Sequence, residues 1–186
     1  MKATEQLIEE HNGIMLMLKI LSKLCDKLER GEPTSAEHLE SIVDFLSVFA
    51  DRCHHGKEED LLFPALEAAG IPRQGGPIGV MLQEHTLGRG YIKGMSEALA
   101  QYKSDQSGAA ADLSRHARNY IALLTQHIQK ENHVLFPMAD MHLSAEEQTE
   151  LLEGFETIER ERIGEGKHEE YHALMHRLET LYLKAQ

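Results

Sequence analysis

The sequence predicts an all-α protein: an up-down-up-down four-helix bundle with an additional C-terminal helical segment packed on it. Three observations support this fold class. Apolar residues recur in steps of three and four along four long stretches. Strand-like alternation is nowhere sustained, and aromatic residues make up only 5% of the chain, with no tryptophan. Breaks rich in glycine, proline or polar residues separate the stretches.

The breaks at residues 31–33, 70–77 and 104–108 delimit the helices. Two capping-box sequences, beginning at Thr34 and Ser144, predict the starts of the second helix and of a fifth. The four long helices are expected at about residues 4–30, 35–69, 78–103 and 109–140. With 186 residues the chain suggests one domain. We expect residues 1–140 to form the bundle and residues 141–186 to be a helical extension of it.

Composition narrows the partners and the compartment. The formal net charge is −12 and no Lys/Arg cluster stands out, so nucleic acid is not an expected partner. No apolar stretch approaches eighteen residues, so no membrane span is expected. The N-terminus lacks a continuous apolar leader segment. The two cysteines, Cys25 and Cys53, form no disulfide framework. These features together predict a cytoplasmic protein.

A repeat organises the four helices. Residues 54–64 align with residues 127–137 and share His, Lys, Glu, Leu, Phe and Pro in register. A Glu-His pair precedes each segment, and its histidine lies 43 positions upstream in the first case and 42 in the second. Two similar amphipathic helices would explain the shared leucines. They would not explain a polar His and Glu recurring within an apolar stripe, so we interpret the repeat as a duplicated helical hairpin.

The predicted topology brings the repeated polar residues to one level. Each of the four histidines lies about nineteen residues from the same end of the bundle, which at about 1.5 Å per residue places them at nearly equal height. All four lie on the inward stripe. Each glutamate follows its histidine by four residues, one turn away on the same face. The residues are His11, His54, Glu58, His85, His127 and Glu131.

Such a layer is costly to bury unless it binds metal. Four imidazoles and two carboxylates without partners would cost several kcal/mol; a hydrogen-bonded polar core is the alternative. Six ligands are too many for one tetrahedral zinc ion. They suit two ions bridged by both carboxylates, with two histidines on each. Nitrogen and oxygen ligands with open positions favour iron, with manganese and zinc as alternatives.

The pattern His, His-x-x-x-Glu, His, His-x-x-x-Glu, with both Glu segments running into Leu-Phe-Pro, resembles the hemerythrin-like (HHE cation-binding) family. The resemblance covers about residues 5–140. It implies a four-helix bundle with two non-haem iron ions in an oxo- or hydroxo-bridged centre. It also implies that the six residues of the layer are the metal ligands.

One departure from that family bears on function. Oxygen-carrying hemerythrins use five histidines, including a His-x-x-x-His pair on the third helix, whereas here Arg89 follows His85 by four residues. With one histidine fewer, a position stays open on both ions. This is more similar to bacterial hemerythrin-like proteins and to the di-iron domain of iron–sulfur cluster repair proteins, which are linked with oxygen, nitric oxide or peroxide.

Three functions therefore remain open at this point. The first is binding or sensing of O2, NO or peroxide at a carboxylate-bridged di-iron centre. The second is a di-iron redox enzyme that reduces NO or peroxide, or donates iron for cluster repair. The third is a metal-storage or structural bundle. Whether the protein turns over a substrate, and its oligomeric state, are not predicted.

Residues beside the motif are expected to play minor parts. His55 and His133 lie off the inward stripe and are predicted to be surface or outer-sphere residues. Glu59 is predicted to face solvent. Lys57 and Lys130 recur in the repeat and either balance charge near the site or are plain surface lysines.

The segment from His168 to His172 matches the His-Glu-x-x-His zinc-protease pattern, a weak signal in a short terminal helix. The preferred interpretation is that the C-terminal segment packs on the bundle. His168, Tyr171 or His172 would then cover the metal pocket without being ligands.

Overall fold

The computed structural model describes residues 1–164 and 166–184, and all the regular structure in these ranges is helical. The predicted all-α fold is confirmed. Residues 165, 185 and 186 of the predicted C-terminal extension lie outside the described ranges. We number six helices in chain order: α1 (Ala3–Glu29), α2 (36–68), α3 (Pro77–Lys103), α4 (109–142), α5 (Ala145–Arg162) and α6 (Lys167–Glu179).

Helices α1 to α4 form the up-down-up-down bundle. Each packs against the next, and α4 returns to pack along α1, so the four close a ring around the core. The predicted bounds of these helices agree with the structure to within two residues. The cap of α2 is one residue later than predicted: Ser35, rather than Thr34, accepts a hydrogen bond from the backbone N–H of His38. The predicted box at Ser144 is present.

Two of the bundle helices contain widened, π-helical turns. In α2 these are Leu46–His55 and Glu58–Leu62, and in α4 the turn is Glu131–Leu135. Both His-x-x-x-Glu segments lie at or beside such turns. A π-helical turn re-aims the side chains that follow it, and such turns are frequent at functional sites.

A polar layer divides the core into two apolar clusters. On α1, Leu7 belongs to one cluster and Ile14 to the other, with His11 between them. The same alternation holds on the other helices. The cluster that contains Ile14, here called the upper cluster, also contains Phe49, Ile92 and Leu124. The cluster that contains Leu7, the lower cluster, also contains Phe63, Met81, Phe136 and Phe155. The predicted histidines and glutamates therefore lie in the middle of a well-packed bundle, away from bulk solvent.

Helices α5 and α6 pack on one side of the bundle, against α1 and α2. Phe155 of α5 is fully buried in the lower cluster, and Leu178 of α6 is fully buried in the upper one. The α3–α4 side carries exposed apolar residues such as Leu87 and Val134. Helices α5 and α6 thus cover the α1–α2 side of the bundle, and the α3–α4 side keeps these apolar residues exposed. Within the described residues, none of the helices has the length and hydropathy needed to cross a membrane.

Candidate metal centre

The six predicted residues come together at the centre of the bundle. Each is at most 1% exposed. Together with one atom of His55, their donor atoms fall into two groups in which all atoms lie within 4.8 Å of one another. Glu58 belongs to both groups. The first contains His11, His54, Glu58 and Glu131, and the second contains His55, Glu58, His85 and His127.

Both carboxylates span the two groups. Glu58 places Oε1 3.5 Å from His54 Nε2 and Oε2 3.5 Å from His85 Nε2. Glu131 places Oε2 3.2 Å from His11 Nε2 and Oε1 3.2 Å from His127 Nε2. Two ligands at about 2.1 Å from one ion and at right angles lie about 3 Å apart. The spacing is therefore close to what two carboxylates would need if they held two ions, each of which would also be held by histidines from two helices.

Outer-sphere contacts fix the histidine rings and repeat with the duplication. Glu10, the residue before His11, accepts a hydrogen bond from His54 Nδ1 at 2.8 Å and another from Lys57. In the other half Glu84 accepts from His127 Nδ1 at 2.9 Å and from Lys130. Carboxylates only accept, so the Nδ1 of each ring carries a proton and Nε2 is the nitrogen that faces the centre.

The other pair of histidines is held by the residues that follow the glutamates. Asn132 Oδ1 accepts from His11 Nδ1 at 2.7 Å, and Glu59 Oε1 accepts from His85 Nδ1 at 2.7 Å. An aromatic ring also stacks on each: Phe136 on His11 and Phe63 on His85. The twofold repeat seen in the sequence therefore extends into the supporting shell of the site.

The inward-facing atoms lack partners within the protein. The Nε2 atoms of His11 and His54 and all four carboxylate oxygens of the two glutamates are buried without a hydrogen bond. Buried polar atoms in native proteins are almost always satisfied, and this many orphans in one place call for a ligand. Imidazole nitrogens and carboxylate oxygens are suitable donors for iron, manganese or zinc. The residues present fit a pair of such ions.

The close packing of ionisable side chains in this layer shifts their pKa values in the metal-free protein. Burial, together with Glu131, raises the pKa of Glu58 well above its ordinary value. Burial alone would raise the pKa of Glu131 too, but His127 and His11 hold it well below the usual range. Burial lowers the pKa of His54 to about 4 despite its bond to Glu10. A proton therefore competes with a cation for the Glu58 carboxylate more strongly than it would for an ordinary glutamate.

The sequence predicts a surface or an outer-sphere position for His55, and its burial contradicts the first of these alternatives. It is not a surface residue: it is only 3% exposed, its ring stacks on that of His85 with centroids 3.8 Å apart, and one of its nitrogens belongs to the second donor group. An ordinary α-helical step places His55 off the inward stripe, but here it ends the π-helical turn Leu46–His55. His133 is exposed, as predicted.

Glu59 does not face solvent freely as predicted, and the two repeated lysines differ from each other in exposure. Glu59 is 23% exposed and bonds His85 and Arg89 rather than facing solvent freely. Lys57 is fully buried, whereas Lys130 is 40% exposed. Arg89 joins Glu59 to Asp51, and Asp51 in turn lies 3.3 Å from His55 Nδ1. The missing third-helix histidine is thus replaced by a cation that neutralises two carboxylates behind the site.

The His-Glu-x-x-His segment packs against Phe49 of α2 and lines a cavity beside the site. The Tyr171 hydroxyl donates to Asp44 of α2 at 2.9 Å. His168 packs on Phe49 and on His172. Both of these histidines line a cavity of about 350 Å³ between α1, α5 and α6. Glu10, which bonds His54, lines the same cavity. That these residues cover the metal pocket stays a prediction.

A buried layer of histidines and glutamates inside a four-helix bundle defines the class: a metal-binding helical-bundle protein. Comparison with known families agrees. The family described as the hemerythrin HHE cation binding domain matches residues 2–139. The chain belongs to this family, as its motifs predicted.

Curated relatives are found in mycobacteria. An uncharacterized protein of Mycobacterium bovis and two uncharacterized proteins from strains of Mycobacterium tuberculosis are each 27% identical to this chain over 163 residues. The alignment covers 88% of this chain and 63% of each relative. The chain therefore spans less than two thirds of these longer proteins. No solved structure matches it with significance.

Proposed function

We propose that the protein binds two non-haem iron ions and holds a small molecule, O2, NO or peroxide, at the centre between them. The observation that carries this proposal is the arrangement of Glu58 and Glu131, whose oxygens each face one histidine from either donor group. Carboxylates placed in this way can bridge two ions. When bound, the iron pair would supply the affinity for diatomic ligands and the redox chemistry.

The donors are shared unequally under this proposal. His55, His85 and His127 serve one ion, and His11 and His54 the other, with both glutamates common to the two. The first ion then has five protein donors and the second has four. We therefore expect the position for an exogenous ligand on the ion held by His11 and His54, rather than on both ions as the six-ligand count predicted. Inequivalent ions favour binding of one small molecule per centre.

The protein's own part is to orient and to exclude water. The four Nδ1 hydrogen bonds fix the imidazoles before any ligand arrives, which makes the site preorganised. The stacked rings of Phe63 and Phe136 and the apolar clusters on either side keep the layer dry. Binding or sensing needs no further group on this chain. Cys25 and Cys53 are buried free thiols, which supports a reducing, cytoplasmic location.

Rapid-mixing spectroscopy tests this function. Protein loaded anaerobically with ferrous iron would be mixed with O2, NO and hydrogen peroxide, and its optical spectrum followed. A stable adduct of one ligand per two irons supports binding or sensing. Repeated consumption of NO or peroxide would instead identify a redox enzyme, the alternative function. No spectral change with any of the three would contradict both and favour a storage or structural role.

A further inference from the structure

Each half of the site contains the same kind of hydrogen-bond network around its histidine, but the two networks differ in what surrounds their lysine. Each half contains a glutamate that accepts hydrogen bonds from a ligand histidine and from a lysine three residues further on. In the α1–α2 half these are Glu10, His54 and Lys57. In the α3–α4 half they are Glu84, His127 and Lys130.

Helix α5 extends only the first of these networks. Lys57 is fully buried and its ammonium lies between Glu10 and Glu159 of α5, over the ring of Phe155. Glu159 also accepts a hydrogen bond from Gln6 of α1 at 3.0 Å. Lys130, its counterpart, is 40% exposed and bonds Glu84. A continuous line of contacts therefore runs from α5 through Lys57 and Glu10 to the ring of His54.

We propose that Glu159 is a positioning residue for the metal centre: acting through Lys57 and Glu10, it holds the His54 ring and selectively sets how tightly the ion at His11 and His54 is retained. This rests on the proposed function, because it requires two bound ions. It assigns the C-terminal segment a role in the site beyond packing, and it treats residues 141–186 as part of the same domain.

Charge balance is the physical reason. Lys57 has no access to water, so its ammonium is neutralised only by protein carboxylates. Without Glu159, Glu10 is the one remaining carboxylate that pairs with the Lys57 ammonium among the described residues. Glu10 must then turn away from His54 or leave Lys57 poorly paired. Outer-sphere partners of a ligand histidine typically change metal affinity by about 10- to 100-fold. The α3–α4 half lacks this dependence, because exposure lets water stabilise Lys130.

The experiment compares Glu159→Ala with Arg162→Ala in the full chain loaded with 57Fe. Arg162 is a matched control because it lies on the same helix and also pairs with α2, through Asp60 and the carbonyl of Arg52, but does not touch the Glu10 network. Release of iron to a chelator and the Mössbauer spectrum would be recorded for both. For Glu159→Ala we expect one of the two irons to leave about tenfold faster and one quadrupole doublet to shift.

Equal behaviour of the two variants would overturn the proposal, as would a loss of both irons together from Glu159→Ala. Glu159→Gln, which keeps a hydrogen-bond acceptor but loses the charge, should give a smaller change in the same doublet and covers the case in which the alanine variant folds poorly. Wild-type protein that holds fewer than two irons would overturn the proposed function itself. Two irons in the wild type with no selective effect would overturn only the role of Glu159.

Discussion

The Nε2 atoms of His85 and His127 lie 3.1 Å apart. The Nδ1–H of each ring already donates a hydrogen bond to a carboxylate. Two neutral imidazoles in this arrangement face one another with lone pairs only, which is repulsive. A cation between them, or an extra proton on one ring, removes the repulsion. The same two states, metal-bound and protonated, account for most of the behaviour expected of this site.

His55→Gln tests whether the fifth histidine is a ligand. Loss of this donor should weaken binding of the ion at His85 and His127 by at least about 10-fold, because loss of even an outer-sphere partner typically costs this much, and should open a second position for an exogenous ligand. Metal titration, together with azide binding followed optically, would measure both effects. His133→Gln is the control, because His133 is exposed and lies in the second copy of the motif. Equal results for the two variants would show that His55 does not bind metal.

Metal binding should release protons at neutral pH. Burial alone would lower the pKa of His127, but Glu131 and Glu84 outweigh it and raise the pKa to about 9. Burial and Glu131 also raise the pKa of Glu58, which strengthens the competition between proton and metal at that carboxylate. The apparent affinity should therefore increase from pH 7 to about 9. Calorimetric titration in buffers of different ionisation enthalpy would count the protons, and a pH-independent affinity over this range would contradict the prediction.

The stability of the metal-free protein should follow the opposite trend. The folded-state pKa of His127 lies above the ordinary value of 6.5. Its contribution is therefore fully present below pH 6.5 and is lost as pH rises through about 9. Urea unfolding of chelator-treated protein should show a midpoint that declines over this window. A His127→Gln variant should lack this component, and a wild-type midpoint that climbs over the same window would contradict it.

Glu10→Gln should destabilise the fold as well as the site. Burial alone would raise the pKa of Glu10, but His54 and Lys57 lower it to about 2. Removing one partner from a buried ion pair typically costs about 3 to 5 kcal/mol. The stabilising contribution of Glu10 is present above its ordinary value of 4.5 and is lost as pH falls toward 2. Urea unfolding at pH 7 measures the cost, and Glu84→Gln, in the more exposed network, should lose less.

Tyr120→Phe should leave the stability unchanged or raise it slightly. The ring is fully buried, packing near Gly88, and its hydroxyl has no hydrogen-bond partner among the described residues. A buried unpaired hydroxyl typically costs about 1 to 3 kcal/mol, so its removal relieves a penalty. Denaturant unfolding would measure the difference. A loss of more than about 1 kcal/mol would show that the hydroxyl binds a group such as an internal water.

The fold was largely predictable because its helices follow simple rules. Apolar periodicity and strong breaks placed the bundle helices to within two residues. The level of the polar layer follows from counting residues along each helix. In an up-down bundle, equal counts from the same end of the bundle correspond to equal heights. His11, His54 and Glu58 lie where this count expected them.

The parts that were missed depend on geometry that a 3.6-residue period does not describe. The π-helical turn ending at His55 changes which residues face the centre, and periodicity alone gives no sign of it. In the sequence, Glu10 and Glu84 stand out only as part of the repeat. Their recurrence before each histidine was the one available signal of a role. The burial of Lys57 by Glu159 depends on where α5 packs, a long-range contact that the local sequence does not encode.

Metal content per chain tests the central claim most directly. Protein reconstituted with iron and freed of loosely bound metal should contain close to two irons per chain, whereas Glu58→Ala and Glu131→Ala, which remove the bridging carboxylates, should hold far less. The His133→Gln protein should match the wild type. One iron or none in the wild type, or unchanged content in both glutamate variants, would contradict a dinuclear centre bridged by these two residues.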